Sequence, residues 1–164
     1  MLNIHKIPAS KLQWPLEHFS KDEFPAGVLK KTSSNLITRL AEFRKALGRS
    51  LIPTPVPEGI VRTDERSSGS QHYAVGRLST AIDVFLPDTT DARVAFILAC
   101  QFFTGVGIYY DTSLKGKPRV MLHLDMRESP LVWCRHKGDY HYPVNGKLSA
   151  DNFFYLLNKG TPQP

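Results

Sequence analysis

The sequence has few cysteines and no long apolar run. Its two cysteines, Cys100 and Cys134, are too few for the disulfide framework of a small secreted scaffold. Cys100 lies in an apolar stretch, which predicts a buried free thiol. No segment has the length of uninterrupted apolar residues that crosses a bilayer, so we expect no membrane span. An ordinary packed core must therefore stabilise the fold.

Clustered positive charge is also absent, although the chain is basic overall. The net charge is +6, but lysine and arginine are scattered and adjacent only at Lys30-Lys31 and Arg44-Lys45. No helix-turn-helix, zinc-finger or base-stacking pattern accompanies them. We therefore expect no nucleic-acid partner, and a nucleic-acid-binding protein is only a distant alternative. An anionic cell-wall polymer would suit the charge equally well.

Length and composition indicate one domain. The 164 residues suffice for one sizeable core and are too few for two ordinary domains. With 41% hydrophobic and 22% charged residues, the balance is that of a globular protein. Residues 1–18 show little periodicity and predict an N-terminal arm, followed by a single domain over residues 19–164.

Hydrophobic periodicity predicts an α+β fold, in which a small antiparallel sheet packs against helices. Helices are expected at 34–47, at 90–103 and from Ser149 onwards. The second of these is apolar almost all round, which predicts a central, buried helix. Strands are expected at 59–63, around Asp83, and as an antiparallel pair at 105–110 and 119–126.

Three side chains on or beside these strands form a possible metal site, namely His72, Asp83 and His123. In both strands apolar residues alternate with the polar one, so Asp83 and His123 each point away from the core. Two imidazoles and one carboxylate are a ligand set of catalytic zinc, which keeps a fourth position open for water.

Spacing alone does not establish this site, because histidine and aspartate at such intervals are common by chance. His72 is also compatible with a polar loop histidine, and His123 with a core histidine bonded to the backbone. For Asp83 the alternative is weaker, since an acid inside an apolar run needs a partner when it is buried.

The order of the motifs is similar to that of a known peptidase family. The match runs from about Phe19 to Trp133. Its elements are the entry segment 18–24, Ser70-Gln71-His72, Gly76, Ala81-Ile82-Asp83, the strand 105–110 and His123-Leu124-Asp125. The chain thus resembles the zinc D-Ala-D-Ala carboxypeptidase and L-Ala-D-Glu endopeptidase family, whose fold is shared with the hedgehog signalling domain. The resemblance implies a hedgehog/DD-peptidase-like fold and a Zn²⁺ ion on His72, Asp83 and His123. It also implies cleavage of a peptide bond in the peptidoglycan stem peptide.

Two catalytic residues are suggested, Arg62 by the resemblance and Asp125 as a substitute for an acid that the family has and this chain lacks. Arg62 resembles an arginine that steadies a substrate carboxylate or carbonyl oxygen, with an ordinary surface arginine as the alternative. The family's acid, three positions before the second zinc histidine, is replaced here by Val120. Asp125 is the nearest substitute as general base, unless it orients a zinc-bound imidazole instead. In that case the base is expected among three other carboxylates, Asp64, Glu65 and Asp111.

The segment after His72 is longer than in the family. The interval from His72 to Asp83 is eleven positions, and we expect a bulge near Gly76 to absorb the added length. Ser70 and Gln71 are expected to order the His72 loop or to contact substrate. Tyr109 and Tyr110 are expected to pack within their strand, although a tyrosine at the cleft rim can bind peptide.

These expectations favour a zinc-dependent peptidoglycan peptidase. The N-terminus lacks the apolar stretch of a secretory signal, which favours a phage lysis enzyme or a virion-associated wall hydrolase over an exported enzyme. The alternative is a non-catalytic virion or wall-binding module that keeps the fold, with or without the metal, as Val120 allows.

Overall fold

The fold is built on a six-stranded sheet. The computed structural model describes residues 7–144 and 147–159, so the first six residues of the predicted arm and the last five of the predicted domain lie outside it. The sheet has the order β1-β2-β6-β3-β7-β8, and a separate hairpin pairs β4 with β5. The strands are β1 (Ile52–Pro53), β2 (Ala81–Phe85), β3 (Gly105–Tyr109), β4 (Ser113–Leu114), β5 (Lys117–Pro118), β6 (Met121–Asp125), β7 (Leu131–His136) and β8 (Asp139–His141).

The pairing confirms the α+β class and corrects one detail. Within the sheet the neighbouring strands are antiparallel except β3 and β7, which run parallel. A wholly antiparallel sheet was therefore too simple a prediction. The predicted antiparallel pair is confirmed as β3 with β6, and the loop between them contains the β4–β5 hairpin.

Three α-helices lie in the described residues, and the first agrees with the sequence in both bounds. Helix α1 (Ser34–Leu47) ends at Gly48, whose left-handed conformation lets its N–H reach two carbonyls of the last turn. Helix α2 (Ala92–Ala99) is shorter than the predicted 90–103. It starts after Asp91, whose side chain accepts from the backbone N–H groups of Arg93 and Val94. Helix α3 (Lys147–Lys159) begins two residues before Ser149.

The two faces of the sheet differ in character, as the alternation predicts. One face carries apolar side chains that are fully buried in the core together with those of α1: Ile82, Val84, Val106, Ile108, Leu122, Leu124, Leu36, Ile37, Leu40 and Phe43. The opposite face carries Asp83, His123 and Asp125. The sheet therefore holds a packed core on one side and a polar cluster on the other.

Three local predictions are wrong. Residues 59–63 form no regular strand, because a 3₁₀ turn covers Pro57–Gly59 and only Arg62 makes an isolated bridge, to Tyr73. Helix α2 is not buried all round, since one side of it, at Val94 and Ile97, is exposed. Cys100 follows that helix and is exposed rather than buried.

The described part of the predicted N-terminal arm lies against the core. Ala9 is fully buried, and its N–H donates to the carbonyl of Thr32 just before α1. Leu12, Trp14 and Leu16 pack against the same core. No helix among residues 7–144 and 147–159 is long and apolar enough to span a membrane.

The two sides of α2 predict different stabilities for two neighbouring substitutions. Phe96 is 4% exposed and contacts Phe153 of α3, whereas Ile97 is 49% exposed. We expect Phe96→Ala to lower the free energy of unfolding by about 3–5 kcal/mol, because it leaves a core cavity. Ile97→Ala should change it by about 0.5 kcal/mol or less. Urea unfolding measures both, and equal losses would contradict the orientation of α2.

Candidate metal centre

The cross-strand register brings two of the candidate ligands together on the polar face of the sheet. Asp83 on β2 lies directly opposite His123 on β6, and His123 lies opposite Gly107 on β3. Directly opposite residues point to the same face, with their Cβ atoms about 5 Å apart. Asp83 and His123 are therefore neighbours because of the pairing itself, although forty positions separate them in the sequence.

The third ligand, His72, comes from the long loop between β1 and β2. Its carbonyl accepts from the N–H of Arg62 at 2.8 Å, and its own N–H donates to the Ser70 hydroxyl at 3.2 Å. The Gln71 side chain accepts from the Thr80 hydroxyl at 2.8 Å. Ser70 and Gln71 thus order the loop, which is one of the two roles expected of them. The side chain of His72 is 2% exposed as a result.

The added length after His72 is accommodated as expected. Gly76 has a φ of +69°, in the left-handed region that favours glycine, and lies in an exposed bend. Arg77 folds back from this bend, and its guanidinium donates to the carbonyl of Ser70 at 2.7 Å. The bend therefore projects outward while the loop remains tied down beside His72.

Three ligand atoms converge between these elements. The Nε2 atom of His72 lies 3.1 Å from Nδ1 of His123, and Oδ1 of Asp83 lies 3.1 Å from His123 Nδ1 and 3.5 Å from His72 Nε2. Tetrahedral zinc with bonds of about 2.0–2.2 Å separates neighbouring ligand atoms by roughly 3.3–3.6 Å. The donor types suit a metal ion, one separation lies in this range and the other two are about 0.2 Å shorter than it. These are the three residues that the sequence predicts.

Burial and hydrogen bonding compete in setting the charges of the cluster. Burial on its own would raise the pKa of Asp83, but hydrogen bonds with His123 and His72 outweigh it and hold that pKa well below its ordinary value. Burial would lower the pKa of His123, yet its hydrogen bonds with Asp125 and Asp83 raise it. Burial also opposes ionisation of Asp125, whose pKa is lowered by Arg127 and His123. Both carboxylates are therefore ionised, as cation binding requires.

The nitrogen of His123 that faces away from the other two ligands, Nε2, is hydrogen-bonded to Asp125. His123 Nε2 lies 2.9 Å from Oδ2 of Asp125, a residue that is fully buried. Arg127 contacts both oxygens of this carboxylate, so the carboxylate is held between the imidazole and the guanidinium. A carboxylate bonded to the outer nitrogen of a ligating histidine is a common arrangement around zinc.

Two aromatic rings pack against His123. The His72 ring lies at 4.8 Å between centroids and the Trp133 ring at 5.1 Å. Trp133 is 6% exposed and lies opposite Gly107, and its indole N–H donates to the Tyr109 hydroxyl at 3.2 Å. Tyr109 therefore contributes packing and a hydrogen bond next to the cluster.

Two glycines of β3 leave the space that this arrangement needs. A Cβ added at Gly105 would lie 2.1 Å from a carboxylate oxygen of Asp125, and one at Gly107 would lie 2.3 Å from the indole of Trp133. Sequence reasoning did not assign a role to these glycines, to Trp133 or to Arg127. The available signal was the alternation, since Gly105 and Gly107 share one face of β3 and Asp125 and Arg127 continue the face of His123.

The side chains of the remaining predicted site residues contact residues other than the three candidate ligands. The backbone of Arg62 adjoins His72, but its side-chain Nε donates to the carbonyl of Glu58 at 3.0 Å. Asp64 accepts from the Ser67 hydroxyl at 2.7 Å. Asp111 pairs with Arg135 at 2.9 Å. The catalytic roles of Arg62 and of a separate base therefore stay predictions.

A cavity of about 600 Å³ lies away from the cluster, beside β1 and the β4–β5 hairpin. Apolar residues including Phe24, Ile52 and Leu114 line it together with Lys115 and Lys117, and none of the three candidate ligands does. The cluster of candidate ligands and this cavity are therefore separate features of the molecule.

Comparisons of the chain with models of known protein families, with curated proteins and with solved structures found no match. A function for this chain is therefore inferred from the geometry of the cluster and the order of the sequence motifs.

The convergence of the three ligand atoms predicts how single substitutions change zinc binding. His72→Ala, Asp83→Ala and His123→Ala should each abolish stoichiometric zinc retention, because two protein ligands cannot complete the site. Elemental analysis after dialysis measures the metal content. His136→Ala provides the control, since this half-buried histidine of β7 is outside the cluster. Full zinc occupancy in any of the three variants would remove that residue from the site.

Proposed function

We propose that this protein is a zinc-dependent peptidase that cleaves a peptide bond in the stem peptide of peptidoglycan. The observation that carries the proposal is the buried set of His72, Asp83 and His123, whose ligand atoms lie within 4.8 Å of one another. A set of three protein ligands is typical of catalytic rather than structural zinc. The choice of a wall peptide as substrate is supported by the motif order shared with the zinc carboxypeptidase and endopeptidase family. The hedgehog/DD-peptidase-like fold is part of the same proposal.

The residues of the chain divide the chemical work among them. His72, Asp83 and His123 would hold a zinc ion, which would act as a Lewis acid toward the substrate carbonyl and lower the pKa of water toward about 7. Asp125 holds the imidazole of His123 in one orientation. Trp133 and the His72 ring pack against that imidazole and help to keep it buried. Arg62 is proposed to leave its contact with Glu58 and bind a substrate carboxylate or carbonyl oxygen.

Asp125 suits the orienting role better than the role of general base. Both of its oxygens contact Arg127, one of them also contacts His123, and the side chain is fully buried. A carboxylate whose pKa is held low by a guanidinium is a weak proton acceptor. The base is then sought among the loop carboxylates. Asp64 and Glu65 are both exposed, but Asp64 and Asp111 accept hydrogen bonds from neighbouring side chains, so Glu65 is the first choice.

A non-catalytic module is the second candidate. Val120 stands where the family has an acid, and Asp125 is engaged by Arg127 and His123. A protein that kept the metal site for stability and bound the wall, or served as a virion component, would show both features.

The two candidates predict different results with purified wall fragments. Zinc-loaded protein incubated with muropeptides should release new amine groups, and a chelator should abolish the release and added zinc restore it. Mass spectrometry of the products identifies the bond that is cut. His72→Ala is the matched negative control. Binding of muropeptides without any new amine would favour the non-catalytic module.

Asp125→Asn separates the two roles of Asp125, because asparagine keeps the size of the side chain but accepts no proton. We expect zinc affinity to fall by about 10- to 100-fold, with turnover recovered at high zinc concentration. If Asp125 is instead the base, turnover falls by roughly two to four orders of magnitude while zinc affinity is unchanged. Metal competition and steady-state kinetics are the two measurements. Normal values of both would exclude either role.

A further inference from the structure

The imidazole of His123 lies between two carboxylates, one at each nitrogen. Nδ1 is 3.1 Å from Oδ1 of Asp83, and Nε2 is 2.9 Å from Oδ2 of Asp125. A neutral imidazole carries one proton, and only the nitrogen without it can bind a metal. Asp83 and Asp125 both accept hydrogen bonds, and Nδ1 also lies 3.1 Å from Nε2 of His72, which donates or accepts according to its tautomer, so the contacts of His123 alone do not decide which nitrogen is free. Something else must favour the proton on Nε2 if Nδ1 is to be the ligand.

Arg127 is placed to favour the proton on Nε2 of His123, because it holds Asp125. Its backbone N–H donates to Oδ1 of Asp125 at 3.0 Å, and its Nε lies 2.9 Å and 3.0 Å from the two oxygens. Its Nη2 donates to Oδ2 as well. A planar guanidinium holds a carboxylate in one plane, which a rotating ammonium group does not. Asp83 has no such fork and is shared between His72 and His123.

A second contact of Arg127 reaches His123 through Trp133. The guanidinium carbon lies 5.1 Å from the centre of the Trp133 ring, and that ring packs 5.1 Å from the His123 ring. Arg127 therefore supports both the hydrogen-bond acceptor and one wall of the same imidazole. Its side chain is 23% exposed, whereas that of Asp125 is fully buried. Without Arg127, Asp125 would be a buried charge without its cation, a costly arrangement that favours rotation of the carboxylate.

From these contacts we propose that Arg127 is a positioning residue that holds Asp125 against Nε2 and so presents the free Nδ1 of His123 to the metal. The proposal depends on the metal site of the proposed function and is independent of the substrate. Gly105 is part of the same arrangement, since a side chain there would overlap the carboxylate that Arg127 holds.

Arg135 offers a matched control. It pairs with Asp111 at 2.9 Å, covers the ring of Tyr109 at 4.5 Å and is 26% exposed, so its surroundings resemble those of Arg127. Asp111, however, accepts from Arg135 and from the N–H of Gly138, and among the described residues its hydrogen bonds do not reach a candidate ligand. Substitution of either arginine therefore removes one arginine–aspartate pair from this face of the sheet. Only the pair of Arg127 includes Asp125, which contacts His123.

The test compares Arg127→Gln, Arg127→Lys and Arg135→Gln in the full chain. Zinc affinity is measured by competition with a chromophoric chelator, and the tautomer of His123 by imidazole ¹⁵N NMR of the metal-free protein at alkaline pH, where the ring is neutral. Arg127→Gln should weaken zinc binding by about 10- to 100-fold and reduce the Nε2–H tautomer. Arg127→Lys, which keeps the charge but not the fork, should lie between it and the parent. Arg135→Gln should match the parent in both measurements.

Several results would overturn the proposal. Parental zinc affinity and tautomer in Arg127→Gln would do so, as would an equal loss in Arg135→Gln. If Arg127→Gln does not fold, the comparison of Arg127→Lys with Arg135→Gln decides by the same criteria. If the parent binds zinc but cuts no muropeptide, the proposed peptidase function fails and the role of Arg127 is still decided. If the parent binds no zinc, the metal-positioning proposal fails together with the site.

Discussion

The buried pairing of Asp83 and Asp125 with His123 is the constraint on which the rest of the site depends. Burying two carboxylates lowers the stability of the fold unless cations or hydrogen-bond donors surround them. Asp83 has the imidazoles of His72 and His123, and Asp125 has His123 and the guanidinium of Arg127. A metal ion beside Asp83 would add a further positive charge where the fold already concentrates negative charge.

The position of this cluster in the sheet gives it rigidity. Strand β6, which carries His123 and Asp125, is hydrogen-bonded on both sides, to β2 and to β3. Its apolar residues Leu122 and Leu124 are fully buried in the core on the other face. A displacement of His123 would therefore disturb two ladders and the core together. Sites held by such packed elements keep their geometry better than sites made of loops alone, and here only His72 comes from a loop.

The features that could be predicted from the sequence are those that depend on neighbouring residues in the chain. The alternation around Asp83 and His123 predicted which face they occupy, and helix α1 followed from its apolar spacing. The contacts of Arg127 and Trp133 depend on register between strands distant in sequence, including the parallel β3–β7 pair, which no local pattern reveals. The same limit explains Cys100, because an apolar run does not show which side of a short helix faces the core. Peptidase activity and the wall substrate stay predictions.

The most direct test of the account is X-ray absorption at the zinc edge, on protein loaded with one equivalent of zinc. The account predicts two imidazole nitrogens and one carboxylate oxygen at about 2.0–2.2 Å, with one further light atom completing a four-coordinate shell. Scattering from sulfur at about 2.3 Å, which would implicate a cysteine, would contradict it. So would a shell without imidazole, because zinc would then be bound somewhere other than His72, Asp83 and His123.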